Sequence, residues 1–479
     1  MYLAAVLLSL LTLTIVATWF VRSRIFSVFH PLTFYLAFHA FVFVLRPLLA
    51  VVLDYRTVYR FYGFVPSTDD RVTVIIASNL GMVAFAFFAA RAGNVPMRFA
   101  AGPAVAKERR QLASILPAVL VICLPLGLFS LWQRLNNAAL GFAVEGMQLD
   151  RGTGAFINTQ AIGYVTDAQL VLASSCALIA WFFRFRLLAW LPLGVFVVLR
   201  AGTGGRGPII VALVLAALFY LYDRQLSRPS ARLVTGAAAV LALFSAIGID
   251  RGAAVREAFG MSAAAMPGPT HDDAFLEGMD FANMEYFEFV VYAVPQRSGT
   301  YDYFLNNLQI LTEPVPRVLW PAKPIGPPVK RVELFDYGYP IGMTFSLPGL
   351  GWYQLGYAGV VIWCGLWGWV LGLFYRRFAT GPQTVLHTAS YMILLAVLLI
   401  AFRDGMLLSI IRTLAFYLLP VMLLWLLARG LGMTAAAPPH PDTERTQSGR
   451  AARSVTPGTP AQRRRRMARA WLQQRKGGA

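Results

Sequence analysis

The chain alternates between long apolar blocks and short polar connections. Many blocks approach the ~20 residues that a helix needs to cross a bilayer. This pattern predicts an all-α polytopic membrane protein with about eleven transmembrane helices and one large extracytoplasmic loop. The blocks lie at 2–20, 25–53, 73–90, 113–132, 161–183, 187–200, 208–222, 233–249, 348–374, 385–402 and 405–428.

The composition supports a membrane environment for these blocks. Hydrophobic residues make up 57% of the chain and charged residues 14%, and the mean hydropathy is +0.59. A soluble protein of 479 residues could not bury so much apolar surface in its core.

The spacing of the blocks predicts four regions. Residues 1–249 hold the first eight helices, 250–347 form the large loop, 348–430 hold the last three helices, and 431–479 form a basic cytoplasmic tail. Twenty-five of the 42 Lys and Arg residues fall in alternate connections and in the tail. The positive-inside rule then predicts an N-terminus outside the plasma membrane and a C-terminus in the cytoplasm.

The net charge of +19 is concentrated near the C-terminus. Residues 429–479 carry eleven basic residues against Asp442 and Glu444. Together with the Ala, Pro and Thr content, this charge predicts a disordered tail that rests on anionic lipid headgroups. No nucleic-acid partner is expected.

The large loop has an unusual composition. Residues 250–347 contain 12 of the chain's 23 acidic residues, seven basic residues and fifteen aromatic residues. Carboxylates accept hydrogen bonds from sugar hydroxyls and aromatic rings offer stacking faces, so the loop could recognise a saccharide. The alternative is a loop that only packs on the helices.

A glycine-rich turn joins two short apolar blocks. Arg200 and Arg206 flank Gly204 and Gly205, and Pro208 follows as a favourable first residue of a helix. Short blocks interrupted by glycine are typical of broken helices that line a membrane site. Backbone N–H groups and an arginine could bind an anion there. A tight interhelical turn with arginines reaching the interface is the alternative.

Further cations lie in the loop and in the last helices. The run PVPRVLWPAKP at 314–324 holds Arg317, Trp320 and Lys323 between stiffening prolines, which suits a diphosphate clamp or simply a solvated loop. Arg403 and Arg412 lie in or beside apolar blocks, where an unpaired charge is costly. Arg403 could alternatively belong to a turn between two helices.

No familiar metal or hydrolase motif is present. His30 and His39 are nine residues apart on opposite faces of one helix, and the sequence contains no HExxH, GxSxG or CxxC. We therefore expect neither a metal site nor a cofactor.

Three blocks resemble the oligosaccharide repeat unit polymerases, the Wzy-type polymerases of O-antigen and exopolysaccharide. They are TGGRG at 203–207, Gly299 with PRVLWPAKP at 316–324 in the loop, and GWYQLGYAG at 351–359. The resemblance implies a GT-C-like helical fold in the bacterial inner membrane. It also implies metal-independent transfer between polyprenyl-diphosphate-linked oligosaccharides, making O-antigen, capsule or exopolysaccharide, with a chain-length regulator and a flippase as partners.

Such a reaction needs cations for the diphosphate and a base for the acceptor hydroxyl. We expect Glu285 as the catalytic carboxylate, with Asp280, Glu288 and Glu313 as alternatives. The expected diphosphate and substrate ligands are Arg206, Arg317, Lys323 and Arg403, with Arg412, Arg200, Gly204, Gly205 and Trp320 in support.

Two other functions fit the same pattern. An O-antigen ligase would share the fold and the donor but pass the chain to a lipid core. A flippase or other transporter of lipid-linked oligosaccharide would also have many helices and buried arginines. Transporters commonly show internal repeats and short loops, and neither is visible in this sequence.

Overall fold

The computed structural model describes most of the helical part of the chain. Four residues named above, Gly204, Gly205, Asp280 and Arg317, lie outside the described residues, as do most of the block at 233–249 and the tail from 434 onward. The described residues are 1–100, 103–139, 147–150, 155–158, 163–203, 206–228, 230, 235–236, 277, 282–315, 319–320, 322–324, 326–338 and 344–433.

Helices dominate this part of the protein. The α-helices are α1 (Tyr2–Arg22), α2 (Pro31–His39), α3 (Arg46–Leu53), α4 (Thr57–Tyr62), α5 (Thr68–Ala92), α6 (Pro103–Ala139), α7 (Gly163–Asp167), α8 (Leu170–Phe182), α9 (Leu191–Ala201), α10 (Gly207–Asp223), α11 (Asn283–Ala293), α12 (Gln309–Thr312), α13 (Leu347–Thr380), α14 (Val385–Asp404) and α15 (Leu407–Gly430). A π-helical segment (Ala40–Leu45) joins α2 to α3, and 3-10 segments lie at Leu187–Trp190, Leu305–Leu308 and Leu334–Asp336.

One small β-hairpin accompanies the helices. Strand β1 (Met147–Asp150) pairs antiparallel with β2 (Ala155–Asn158), in a register that places Met147 opposite Asn158. The hairpin was not predicted. It follows α6 and does not change the helical class of the fold.

The long helices confirm an all-α polytopic membrane protein. Seven helices are long and apolar enough to cross a membrane, counting the continuous run Pro31–Leu53 once. Three shorter apolar helices, Leu170–Phe182, Leu187–Ala201 and Gly207–Asp223, coincide with three further predicted blocks. The predicted blocks therefore match ten apolar helices in the described part of the chain.

Polar caps define where several of these helices begin. At α5, the Ser67 hydroxyl accepts a hydrogen bond from Asp70 N at 3.0 Å, and the Asp70 carboxylate accepts one from Ser67 N at 3.0 Å. At α14, the Thr384 hydroxyl accepts from His387 N at 3.2 Å. These side chains satisfy backbone N–H groups that the first turn of a helix leaves unpaired.

The ends of the long apolar helices lie on two opposite faces of the protein. On one face, the Tyr222 hydroxyl donates to Gln383 Oε1 at 2.8 Å, and the Tyr375 hydroxyl donates to the Val95 carbonyl at 3.1 Å. Arg24, Arg109 and Arg224 lie on this face, which we call the basic face. The ends of α6, α9 and α14 and the beginnings of α10, α13 and α15 lie on the opposite face.

Close backbone contact joins α5 to α13. A Cβ atom at Gly368 would lie 2.5 Å from the Phe85 carbonyl oxygen, and one at Gly372 would lie 2.7 Å from the Ala89 carbonyl oxygen. Small residues let membrane helices approach each other in this way, since lipid supplies no hydrophobic force between helices.

Helix α13 is broken within the GWYQLGYAG block, where the sequence predicted a continuous span. Leu355 and Gly356 leave helical geometry, with Gly356 at φ 60°. The segment Leu347–Gln354 folds back on the rest of the helix. The two parts lie so close together that a Cβ atom at Gly359 would be only 2.1 Å from the Gly351 carbonyl oxygen. Glycine permits both the positive φ and the close approach.

The large loop supplies the hydrogen bonds that the break removes. Asp302 N donates to the Tyr353 carbonyl at 3.1 Å, and Tyr303 N donates to the Gln354 carbonyl at 2.9 Å. Broken helices persist in membranes only where other groups satisfy the freed backbone in this way.

The described part of the loop packs on the membrane helices. Helix α11 is buried along nearly its whole length and contacts α5 and α13. The Trp352 indole donates to the Val294 carbonyl at 2.8 Å, just beyond the end of α11. This packing agrees with the alternative in which the loop covers the helices, and it leaves saccharide recognition by the loop as a prediction.

Candidate functional site

Arg412 meets a carboxylate from a distant part of the chain. Its Nε lies 2.8 Å from Oδ2 of Asp167, at the end of α7. The other oxygen of Asp167, Oδ1, accepts a hydrogen bond from Arg134 Nη2 at 3.4 Å. Two arginines from α6 and α15 thus share one carboxylate between them.

Glu313 and Lys323 extend this group from the large loop. Lys323 Nζ lies 3.2 Å from Glu313 Oε2, and Arg412 Nη1 lies 3.9 Å from Glu313 Oε1. We call Arg134, Asp167, Glu313, Lys323 and Arg412 the cation cluster. Four segments that are far apart in sequence contribute to it.

Local structure holds the carboxylates of the cluster in place. The Ser130 hydroxyl of α6 accepts a hydrogen bond from Gln169 N at 3.1 Å, which ties the residues after Asp167 to the same helix that carries Arg134. The Glu313 carbonyl accepts hydrogen bonds from the Tyr164 hydroxyl and from Lys323 Nζ, both at 3.1 Å.

The cluster is partly open and carries an excess of positive charge. Within the described part of the chain, three cations face two carboxylates, and the side chains of Arg412 and Glu313 are 36% and 23% exposed. A charged side chain within a membrane segment loses favourable hydration. Such residues are therefore rare, and they often mark the path of a substrate or ion. An accessible group with surplus guanidinium and ammonium charge can bind a phosphate or diphosphate.

Arg200 lies close to this cluster. It is buried at the end of α9, and its guanidinium donates to the Thr203 hydroxyl. The buried Tyr417 of α15 lies within electrostatic range of both Arg200 and Asp167. Of the predicted cations, Lys323 and Arg412 belong to the cluster, and Arg200 lies near the same buried tyrosine as Asp167 does.

The structure confirms two short helices on either side of the glycine-rich motif. Helix α9 ends at Ala201 after 11 residues, and α10 begins at Gly207 and runs for 17 residues. The Arg206 carbonyl accepts hydrogen bonds from Ile209 N at 3.0 Å and Ile210 N at 3.1 Å, so Arg206 caps the start of α10. Anion binding at this turn stays a prediction.

Arg403 lies near the end of α14, on the same side as Arg412. The turn between α14 and α15 separates the two arginines. In the described ranges, no carboxylate lies within ion-pair distance of the Arg403 guanidinium, and its Nε is buried without a hydrogen-bond partner. Its carbonyl accepts hydrogen bonds from Asn283 Nδ2 and Ser346 N, each at 2.9 Å.

Trp320 lies in the loop beside Lys323. Its carbonyl accepts a hydrogen bond from Lys323 N at 3.0 Å, and its side chain is 38% exposed. The turn places an accessible indole three residues from a cation of the cluster. Substrate contact by this ring stays a prediction.

Glu285 occupies a different environment from the cation cluster. Both of its carboxylate oxygens accept hydrogen bonds from Arg46 Nε, at 2.8 and 2.9 Å, and the two side chains are only 2% and 3% exposed. Glu277 lies beside them, where its carbonyl accepts from Arg46 Nη2 at 3.1 Å. This geometry favours a structural role for Glu285 over the catalytic role expected from the sequence.

Glu288 shares the buried face of α11 with Glu285. The Tyr59 hydroxyl donates to Glu288 Oε2 at 2.6 Å, while the Arg71 guanidinium lies 4.0 Å away. Burial raises the pKa of Glu288 to about 8, and this shift outweighs the opposing effect of Arg71. A fully buried carboxyl group of this kind cannot receive a sugar hydroxyl without movement of the surrounding helices.

Arg134, Tyr164 and Asp167 were not identified from the sequence. Asp167 falls inside the predicted block at 161–183, and Arg134 lies just beyond the block at 113–132. A charge near the end of an apolar block requires a partner of opposite charge. The opposite charges of Arg134 and Asp167, near the ends of neighbouring blocks, could therefore have predicted their pairing.

Comparisons with known proteins leave the chain without an assigned family. No protein-family model matches it, and neither a curated protein nor a solved structure does. Among the described residues, no three His, Cys, Asp or Glu side chains converge in a way that could hold a metal ion.

Proposed function

We propose that this protein is a membrane glycosyltransferase that polymerises polyprenyl-diphosphate-linked oligosaccharide repeat units. The observation that carries the proposal is the cation cluster, in which Lys323 and Arg412 meet around Glu313 with Arg134 and Asp167 behind them. Surplus positive charge beside an accessible carboxylate is what a reaction with a diphosphate leaving group requires.

The chemistry assigns a role to each kind of side chain. A hydroxyl of the incoming repeat attacks the anomeric carbon of the growing chain, and the bond from that carbon to the diphosphate breaks. Arg412 and Lys323 stabilise the negative charge that develops on the leaving diphosphate. Arg200, Arg206 and Arg403 are further cations near the same ends of the helices, and Trp320 offers a stacking face for a sugar ring. Arg317 joins them as a candidate from the sequence alone.

The arrangement of faces supports the expected location of the reaction. The connections on the basic face carry the arginines that the positive-inside rule assigns to the cytoplasm. With that face inward, the cation cluster faces outward, the N-terminus is outside and the C-terminal tail is cytoplasmic. The proposed location is the outer side of the bacterial inner membrane, where flipped lipid-linked repeats and a chain-length regulator would meet the enzyme.

A reconstituted assay tests the proposal. Purified protein in detergent is incubated with lipid-diphosphate-linked repeat units and EDTA, and the products are separated by length. A ladder that grows by one repeat at a time is the expected result. Transfer only to a lipid-core acceptor would instead indicate a ligase. Movement of lipid carrier across vesicles with no new glycosidic bond would indicate a transporter.

A further inference from the structure

Four carboxylates that pair with an arginine or lysine either belong to the cation cluster or are candidate bases from the sequence, namely Asp167, Glu285, Glu288 and Glu313. Glu285 and Glu288 lie on the buried face of α11 and are almost completely buried. Asp167 has one oxygen at 2.8 Å from Arg412 and the other at 3.4 Å from Arg134, so both of its oxygens are occupied. Glu313 remains, with an exposed fraction of 23%.

The two oxygens of Glu313 differ in their surroundings. Oε2 lies 3.2 Å from Lys323 Nζ, whereas Oε1 lies 3.9 Å from Arg412 Nη1 and receives no hydrogen bond from the described residues. The backbone of the same residue is fixed by Tyr164 and Lys323 through its carbonyl. Glu313 thus presents one open oxygen from a well-anchored position.

We propose, resting on the polymerase function above, that Glu313 is the catalytic base that takes the proton of the acceptor hydroxyl. In the free protein its carboxylate partly neutralises Lys323 and Arg412. A bound diphosphate competes for the same two cations, because it carries more charge than one carboxylate. Binding of the donor therefore releases the carboxylate from its partners, so that it can face the acceptor hydroxyl.

The bonds and charges of this step balance. The acceptor oxygen forms the new bond to the anomeric carbon as its proton passes to Glu313 Oε1. The bond between the anomeric carbon and the diphosphate oxygen breaks, and the electron pair leaves with the polyprenyl diphosphate. Lys323 and Arg412 hold that anion, and the proton on Glu313 is lost to water before the next cycle.

The variant Glu313→Gln separates proton transfer from binding. Two readouts are needed: the rate of chain elongation by the purified protein, and binding of sugar-free undecaprenyl diphosphate. General base catalysis contributes roughly 10²- to 10⁴-fold, so we expect the elongation rate to fall by that order. Binding should be unchanged or tighter, because the amide no longer competes for Lys323 and Arg412.

Two more measurements distinguish a base from a structural residue. Glu313→Asp keeps a carboxylate and should recover part of the elongation rate. The acidic limb of the pH–rate profile should be present in wild type and absent from the residual activity of Glu313→Gln. Glu333→Gln is the matched control, because Glu333 is a half-buried loop carboxylate that pairs with Lys330 and lies outside the cation cluster.

The outcomes separate this inference from the proposed function. If wild type elongates chains and Glu313→Gln does so within about threefold, or loses binding and elongation together, Glu313 is not the base. If wild type itself neither binds undecaprenyl diphosphate nor elongates chains, both the polymerase function and the role of Glu313 are overturned.

Discussion

Two groups of paired charges in this protein differ in how completely they are enclosed. Arg46 and Glu285 are at most 3% exposed and join through two oxygens, with Glu277 and Tyr55 around them. In the cation cluster, Arg412 is 36% exposed and divides its guanidinium between two carboxylates at 2.8 and 3.9 Å. The Arg46–Glu285 pair is closed to solvent and to ligands. In the cation cluster, a ligand can take the place of a carboxylate beside Arg412.

This difference in enclosure distinguishes an arginine that contributes to stability from one that is available for function. A buried ion pair whose two side chains bind each other is not accessible to a substrate. Removal of one partner, however, leaves the other charge buried and uncompensated. A loosely paired, accessible arginine contributes little to stability but keeps its binding capacity. The sequence alone placed Glu285 among the functional residues because its helix face could be predicted but its partner could not.

The largest expected effect is on stability, from Arg46→Ala. It leaves Glu285 buried without a counter-charge, which costs about 3–5 kcal/mol of unfolding free energy. Thermal denaturation of the detergent-solubilised protein measures the loss. Arg56→Ala is the matched control, because Arg56 pairs with Asp54 through side chains that are 63% and 69% exposed. Equal melting of the Arg46 and Arg56 variants would contradict a structural role for the buried pair.

The next effect is on activity, from Arg412→Ala. Loss of a group that stabilises developing negative charge costs roughly 10²- to 10³-fold in turnover. The denaturation temperature should stay near that of wild type, since the side chain is partly exposed. Arg429→Ala, at the other end of α15 beside Trp425, is the control. Wild-type elongation by a stably folded Arg412 variant would remove the cation cluster from the proposed site.

The smallest effect comes from Asp167→Asn. The amide keeps the size of the side chain but no longer fixes the guanidinium of Arg412 by charge, so we expect turnover to fall about tenfold, or ~1.4 kcal/mol of activation free energy. Single-turnover elongation measures the change. Asp223→Asn removes a comparable partner, that of Arg109 on the basic face, and should leave the rate unchanged. A larger loss with Asp167→Asn than with Arg412→Ala would reverse the roles assigned to the two residues.

The candidate site was only partly predictable for a specific reason. Arg412 stands out because a charge within an apolar block is costly. Arg200 stands out beside the glycine-rich turn, and Lys323 stands out in the proline-stiffened run of the loop. Asp167 and Arg412 are separated by more than two hundred residues, and no spacing rule brings them together. Their contact depends on α6, α7 and α15 lying side by side, which is decided by helix packing and not by local pattern.

The membrane class, the positions of the ten matched apolar helices and the short pair α9 and α10 could be predicted from the sequence alone. Transfer of a helix into lipid depends on the residues of that helix, so these features can be read block by block. The break in α13 and the pairing of charges depend on contacts between segments that are distant in sequence. A helix can break in a membrane only where other groups take up its freed hydrogen bonds, and here the Asp302 and Tyr303 amides do so. Contacts with distant segments likewise determine whether an arginine is buried in a structural ion pair, as Arg46 is, or accessible to a ligand, as Arg412 is.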